Sequence, residues 1–170
     1  MIRNFIIALG LITFVFGAGI YSSAAKAAPP GPTIVDVTID VNNQTGDFDT
    51  LIAALQAADP IVLATLSGNG QHTVFAPTDD AFAALGLDET NVGSLAKDVL
   101  TDILLYHVAH GRRDSGDVTS SSQIRMLNGQ FTEISVDSSG AYIDNAQIIL
   151  ADVLAANGII HVIDAVLLPE

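Results

Sequence analysis

Reactive chemistry in this chain has few side chains to draw on. Among its 170 residues there are four histidines, no cysteine and 19 Asp or Glu. Thiolate chemistry and disulfide bonding are therefore excluded. His107 and His110 are three apart, a spacing that on a helix supplies half of a zinc site. That segment reads as extended, and Gly111 follows at once, so no tetrahedral ligand set is completed and no metal is expected. His107 stands between Tyr106 and Val108, and His161 between Ile160 and Val162. In such apolar surroundings a ring satisfied by backbone groups is a better expectation than a metal ligand or a general base.

Other sources of chemistry fail on spacing. Asp40-x-Asn42 opens like a calcium loop, but the sixth position is Thr45 where glycine is required. The twelfth is Leu51 where glutamate is required. There is no Gly-x-Ser-x-Gly elbow, no phosphate-binding glycine loop and no dinucleotide fingerprint. Ser67-Gly68-Asn69-Gly70 is a turn cluster. The expectation is a protein that is not an enzyme and carries no cofactor. Asn43-Gln44-Thr45 is a glycosylation sequon in a host that has the pathway. Arg112-Arg113 are adjacent cations on an acidic chain, either a solvated loop or a contact for an acidic polymer.

The first segment has the layout of a secretory signal. Arg3 precedes an apolar or small run from Phe5 to Ile20, and Ala25-Lys26-Ala27 is a small-x-small cleavage site. A retained span is the competing reading, since the run is near the lower limit for crossing a bilayer. With residues 1–27 taken as the signal peptide, the membrane is met only transiently. The destination is then extracellular or the cell surface, or the periplasm in a Gram-negative host. The formal net charge is −13 at pH 7, and removal of Arg3 and Lys26 makes it more negative. Such a field repels phosphate backbones and anionic membrane surfaces, so nucleic acid is not expected as a partner.

The elements that must position these residues can be read along the chain. Residues 28–32, Ala-Pro-Pro-Gly-Pro, form a stiff linker, and one domain is expected over 33–169. Thr33 to Val41 is rich in β-branched residues and favours a strand by propensity, while Ile34, Val37 and Val41 fit a helical spacing, and a helix is expected. Asp47 or Asp49 is expected to cap the next helix, with Leu51, Ile52 and Leu55 as its apolar stripe. A short helix over Ile61 to Leu66 and a buried strand from His72 to Ala76 follow. Thr78 is expected to cap a helix whose first turn holds Asp79 and Asp80, with Phe82 and Leu85 facing the core and Gly86 at its end. Leu95, Val99 and Ile103, with Leu100 and Leu104 beside them, predict a helix over Leu95 to Leu105, with Tyr106 to Val108 leaving it extended. Beyond Gly111 short apolar runs alternate with the turn signals Asn128-Gly129, Ser138-Ser139-Gly140 and Asp144-Asn145. A final strand is expected over Ile159 to Leu168.

Three segments together are specific. They are Thr73-Val74-Phe75-Ala76-Pro77-Thr78-Asp79-Asp80-Ala81-Phe82, Leu104-Leu105-Tyr106-His107-Val108, and Asn157-Gly158-Ile159-Ile160-His161-Val162-Ile163-Asp164 running on to Leu167-Leu168-Pro169. In this order and spacing they resemble the sequence blocks of the fasciclin-like (FAS1) domain, over about Thr33 to Pro169. The resemblance implies an α/β (α+β) wedge, with helices mainly in the N-terminal half and bent, mostly antiparallel sheets in the C-terminal half. It implies a secreted, non-catalytic protein for cell adhesion or for binding the cell surface or extracellular matrix, with an extracellular protein or a polysaccharide as partner. Some members present an Asp-Ile pair near the Tyr-His block to a partner, which makes Asp102, Ile103, Tyr106 and His107 the candidate binding residues. Ile103 also belongs to the apolar stripe of its helix. Association of some members with carotenoids implies the alternative of a module for a small apolar ligand, a pigment or lipid. Phe75, Phe82, Leu104 and Ile163 are expected in the core.

Overall fold

A computed structural model describes residues 30–169. The signal segment 1–27 and the first two linker residues lie outside the described residues. No helix among those described is long and apolar enough to cross a membrane.

The first half is helical. Helix α1 (Ile34–Thr45) forms in spite of its β-branched content. Thr33 Oγ1 accepts from Asp36 N, and the Asp36 carboxylate accepts from Thr33 N at 2.8 Å. This reciprocal cap satisfies two N-terminal donors, and Thr-x-x-Asp is its sequence signature. The helical course of residues 40–45 also removes the calcium-loop comparison. Gly46, at φ 73°, takes the left-handed position that ends the helix. Helices α2 (Asp49–Ala57) and α3 (Pro60–Leu66) follow, the latter with Pro60 in its first turn and Asp59 as its cap.

Strand β1 (His72–Pro77) leads into α4 (Asp79–Ala83), which Thr78 caps as expected. Leu85, by contrast, lies beyond this short helix and is 45% exposed, so only Phe82 of the expected pair enters the core. After a 3-10 turn at Val92–Ser94 comes α5 (Lys97–Tyr106). It extends one residue past the predicted end and includes Tyr106. Its Val99 is 48% exposed, because the buried face runs through Leu100 and Leu104.

Strand β2 (Val108–His110) is followed by α6 (Ser115–Ser120), which the sequence reading lacked. The chain then builds β3 (Gln123–Arg125), β4 (Phe131–Asp137), β5 (Gly140–Ile143), β6 (Ala146–Ala155) and β7 (Gly158–Ile163). The last strand stops at Ile163, five residues short of the predicted end. Asp164 turns the chain, its carboxylate accepting from Gln147 N while its own N–H donates to Gln147 O.

The strand order is β2-β1-β7-β6-β5-β4-β3. Only β1 and β7 pair in parallel; the other neighbours are antiparallel. The two ends of this order meet, since Ala109 bridges Met126 and Leu127 N donates to Val108 O at 2.7 Å. The edge strands thus cover each other, a standard protection against edge-to-edge association. Strands β1 and β7 are buried along their whole length. Val74, Ala76, Ile160 and Val162 face the core shared with α1 to α5, where Phe82 and Leu104 also lie. Phe75 and Ile163 face a second core with Tyr106, Ile124 and Met126. All four expected core residues are buried. The mixed architecture, helices first and strands later, is the one the resemblance implied.

Candidate functional site

The most distinctive residues are consumed in holding the two halves together. Asn157 is fully buried at the turn between β6 and β7. Its Oδ1 accepts from Ile34 N at 2.8 Å, and its Nδ2 donates to Leu66 O at 2.6 Å and Gly68 O at 2.8 Å. One side chain therefore joins the start of α1, the end of α3 and the Ser67-Gly68 turn to the sheet. Gly158 follows because its backbone lies against His72, its partner in the β1–β7 register. A Cβ there would overlap the His72 carbonyl and sit 2.7 Å from Ile34 Cδ1.

His107 closes α5. Its Nδ1 lies 2.8 Å from Ile103 O and its Nε2 accepts from Leu167 N at 2.9 Å. These partners assign the proton to Nδ1. The ring pins the helix exit to the C-terminal segment across 60 residues. Burial lowers its pKa to about 4, although the bond to the Ile103 carbonyl pulls the other way. His161 uses the opposite tautomer. Its Nδ1 accepts from Asp152 N at 3.3 Å and its Nε2 donates to Arg113 O at 3.0 Å. Its ring stacks on Phe75, centroids 5.5 Å apart. Burial lowers its pKa, opposed by the Arg113 carbonyl and the carboxylates of Asp152 and Asp114. Asp152 sits at φ 62° in the irregular stretch of β6, and its carboxylate accepts from the Ser115 N–H and hydroxyl.

The four candidate binding residues do not converge on one surface. Asp102 is exposed on α5, whereas Ile103 is half-buried and packs against the larger core. Tyr106 and His107 are buried. His110 is exposed at the end of β2, its ring 5.8 Å from that of His72. Arg112 Nη1 reaches Ala155 O at 3.4 Å, and Arg113 contributes backbone bonds to Thr73 and His161. Among the described residues, no three His, Cys, Asp or Glu side chains gather where they could hold a metal ion.

The sequence reading missed an open cleft of about 870 Å³ between the residues after α4, the β3–β4 hairpin, the β5–β6 turn and the C-terminal segment. The Tyr106 hydroxyl lies at its edge, 3.0 Å from Asp144 Oδ2 and 3.2 Å from Phe131 O. Asp144, at φ 50°, also accepts from Glu133 N through Oδ1 at 2.7 Å. Phe131 (58%), Leu168 (53%) and Leu85 (45%) are exposed around it. The cleft's residues come from five separate stretches of chain, so no local motif announced it.

The sequence model of the fasciclin domain matches residues 46–169. The chain belongs to the fasciclin domain family. It is 44% identical over 150 residues to protein sll1483 of Synechocystis sp., covering 87% of this chain and 81% of that protein. It is 38% identical over 143 residues to the transforming growth factor-beta-induced protein ig-h3 of Sus scrofa, covering 83% of this chain but only 20% of that longer protein. The immunogenic protein MPB70 of Mycobacterium bovis is 31% identical over 153 residues, with 85% and 78% covered. In structure, the chain resembles a FAS1 domain pair from the insect cell adhesion molecule fasciclin I, with TM-score 0.58 and 20% identity. That match covers 73% of this chain and 46% of the pair, and it bears on the fold alone.

Proposed function

We propose that this protein is an exported, non-catalytic module that acts in adhesion, binding an extracellular protein or polysaccharide at the cell surface or in the surrounding matrix. One observation carries the reading. The residues that look most like catalytic material, His107 and His161, have both ring nitrogens engaged by backbone groups and are held toward the neutral form. Neither ring has a nitrogen left for a substrate proton. Membership of the fasciclin domain family supports the same reading. On α5, Asp102 is the candidate a partner can reach, while Ile103, Tyr106 and His107 set the position of the helix. Purified protein immobilised on a surface should retain cells or matrix polymers above an unrelated protein of equal acidity, and Asp102→Ala should weaken that retention. Equal retention by the control protein would defeat the proposal.

The alternative of a pigment or lipid module gains nothing from the interior. Two apolar cavities that border the larger core measure about 20 Å³ each, room for about one water molecule.

A further inference from the structure

We infer that the cleft beside Tyr106 is a binding site for a neutral oligosaccharide. The inference deepens the proposed binding function and rests on it. At about 870 Å³ the cleft falls within the roughly 300–1,000 Å³ typical of ligand sites. Its lining is mixed in a particular way. Gln123 and Asn145 bring side-chain amides, and Glu133 brings a carboxylate, around the exposed ring of Phe131. Each amide both donates and accepts, and a carboxylate accepts at two oxygens. Adjacent hydroxyls on a sugar ring ask for that combination, because each hydroxyl also donates and accepts. The C–H face of the same ring is apolar and asks for an aromatic plane. The exposed ring of Phe131 can offer one; its carbonyl accepts from the Tyr106 hydroxyl, and strand pairing sets it opposite Arg125. Gln123 and Glu133 are opposite one another in the same register, so their side chains leave the same face of the β3–β4 pair.

Charge decides among the ligand classes. Arg125, opposite Phe131 on the same face of the β3–β4 pair, stands outside the cleft lining, which contains no Lys or Arg, and the chain is strongly acidic, which disfavours phosphorylated, sulfated or uronic acid polymers. A cationic peptide is less well matched than a neutral ligand. Of the two lining carboxylates, Asp144 is already engaged by Tyr106 and by the Glu133 N–H, which leaves the Glu133 carboxylate beside the amides of Gln123 and Asn145. The edge formed by Tyr106 and Asp144 is bonded internally and is therefore preorganised, which lowers the ordering cost of binding.

The test uses purified, isotopically labelled protein and two-dimensional amide NMR. Cellohexaose, xylohexaose, maltohexaose and chitohexaose are titrated to millimolar concentration, beside polygalacturonate and a lysine-rich peptide. At least one neutral hexaose should shift the amides of Phe131, Gln123 and Asn145, and Phe131→Ala should raise its Kd by about tenfold. Phe131 is exposed, so this variant keeps the fold, which the unshifted remainder of the spectrum verifies. The inference is overturned if no hexaose shifts these residues, if the shifts fall elsewhere, if Phe131→Ala binds equally well, or if only the polyanion or the peptide occupies the cleft. In the attachment assay above, Phe131→Ala that still retains cells or polymers would leave the adhesive function standing while removing the cleft from it.

Discussion

The side-chain oxygen of Asn157 accepts the Ile34 backbone N–H at 2.8 Å, across 123 residues of chain. The start of the first described helix is thereby tied to the turn that opens the last strand. The same amide also holds α3 through Leu66 O and the following turn through Gly68 O.

Replacing Asn157 by alanine leaves one buried donor and two carbonyls without this partner. At about 1–3 kcal/mol for each unsatisfied group, the variant should lose about 3 kcal/mol or more. Asn157→Asp keeps the acceptor toward Ile34 but turns a carboxylate toward two carbonyls, so at neutral pH it should be at least as damaging. Denaturant unfolding of both variants measures this. An aspartate variant as stable as the parent would show that the amide does not bridge these elements.

Gly158→Ala should be among the most disruptive single-methyl additions in the chain. The new Cβ meets the His72 carbonyl, a backbone group fixed by the parallel β1–β7 pairing, and Ile34 Cδ1 behind it. Overpacking of this kind costs about 1–3 kcal/mol where neighbours can move, and more where they are backbone. Thermal melting of Gly158→Ala beside Gly116→Ala tests it. The exposed Gly116 meets only the Asp114 carboxylate, and its substitution should have the smaller effect.

Stability should fall with acidification below neutrality. His107 has a folded pKa of about 4 against 6.5 unfolded, so between these values the unfolded chain binds more protons. Its contribution is complete above about pH 6.5 and is lost as pH falls toward 4, with a span of about 3 kcal/mol. His161, also lowered by burial, acts in the same direction. Unfolding free energies of the parent and of His107→Gln across this window give the comparison. The variant should show a shallower pH slope; equal slopes would contradict the assigned burial.

Asp79 should stabilise a helix other than its own. Its carboxylate accepts from Asp49 N at 3.1 Å and Thr50 N at 2.8 Å, while its N–H donates to Asp47 O. Helix α2 has no side-chain cap from its preceding residue, Phe48, and neither Asp47 nor Asp49 supplies the expected one. Asp79→Ala should therefore cost about 1–2 kcal/mol, and Asp79→Asn less, since its amide oxygen still accepts. Hydrogen exchange at Asp49 and Thr50 locates the loss. Faster exchange confined to α4 would assign Asp79 to its own helix instead.

How much of this was legible depended on how local each cause is. The Thr78 cap, the Asn-Gly hairpin at residues 128–129 and the apolar stripe of α5 are short-range, and each could be read from spacing. Over Thr33 to Val41 propensity favoured a strand and the apolar spacing a helix; the helix Ile34–Thr45 forms, with the local Thr33–Asp36 cap at its start. The exposure of Leu85 and Val99 was misread because helical periodicity indicates a face without saying where a short helix ends or which face is covered. The cap from Asp79 to α2 was invisible, since 29 residues separate Asp79 from Thr50.

By itself the sequence determined the family, the order of helices before strands, the absence of disulfide support and the buried, backbone-satisfied character of His107 and His161. These follow from residue types and short spacings, which act through the chain's nearest neighbours. Tertiary structure alone decided that Asn157 is the tie between α1, α3 and the sheet, that the two sheet ends meet at Ala109 and Met126, and that Tyr106, Phe131 and Asp144 border a common cleft. Those relationships join residues far apart in sequence, and only the parallel pairing of β1 with β7 and the closure it permits bring them within bonding distance.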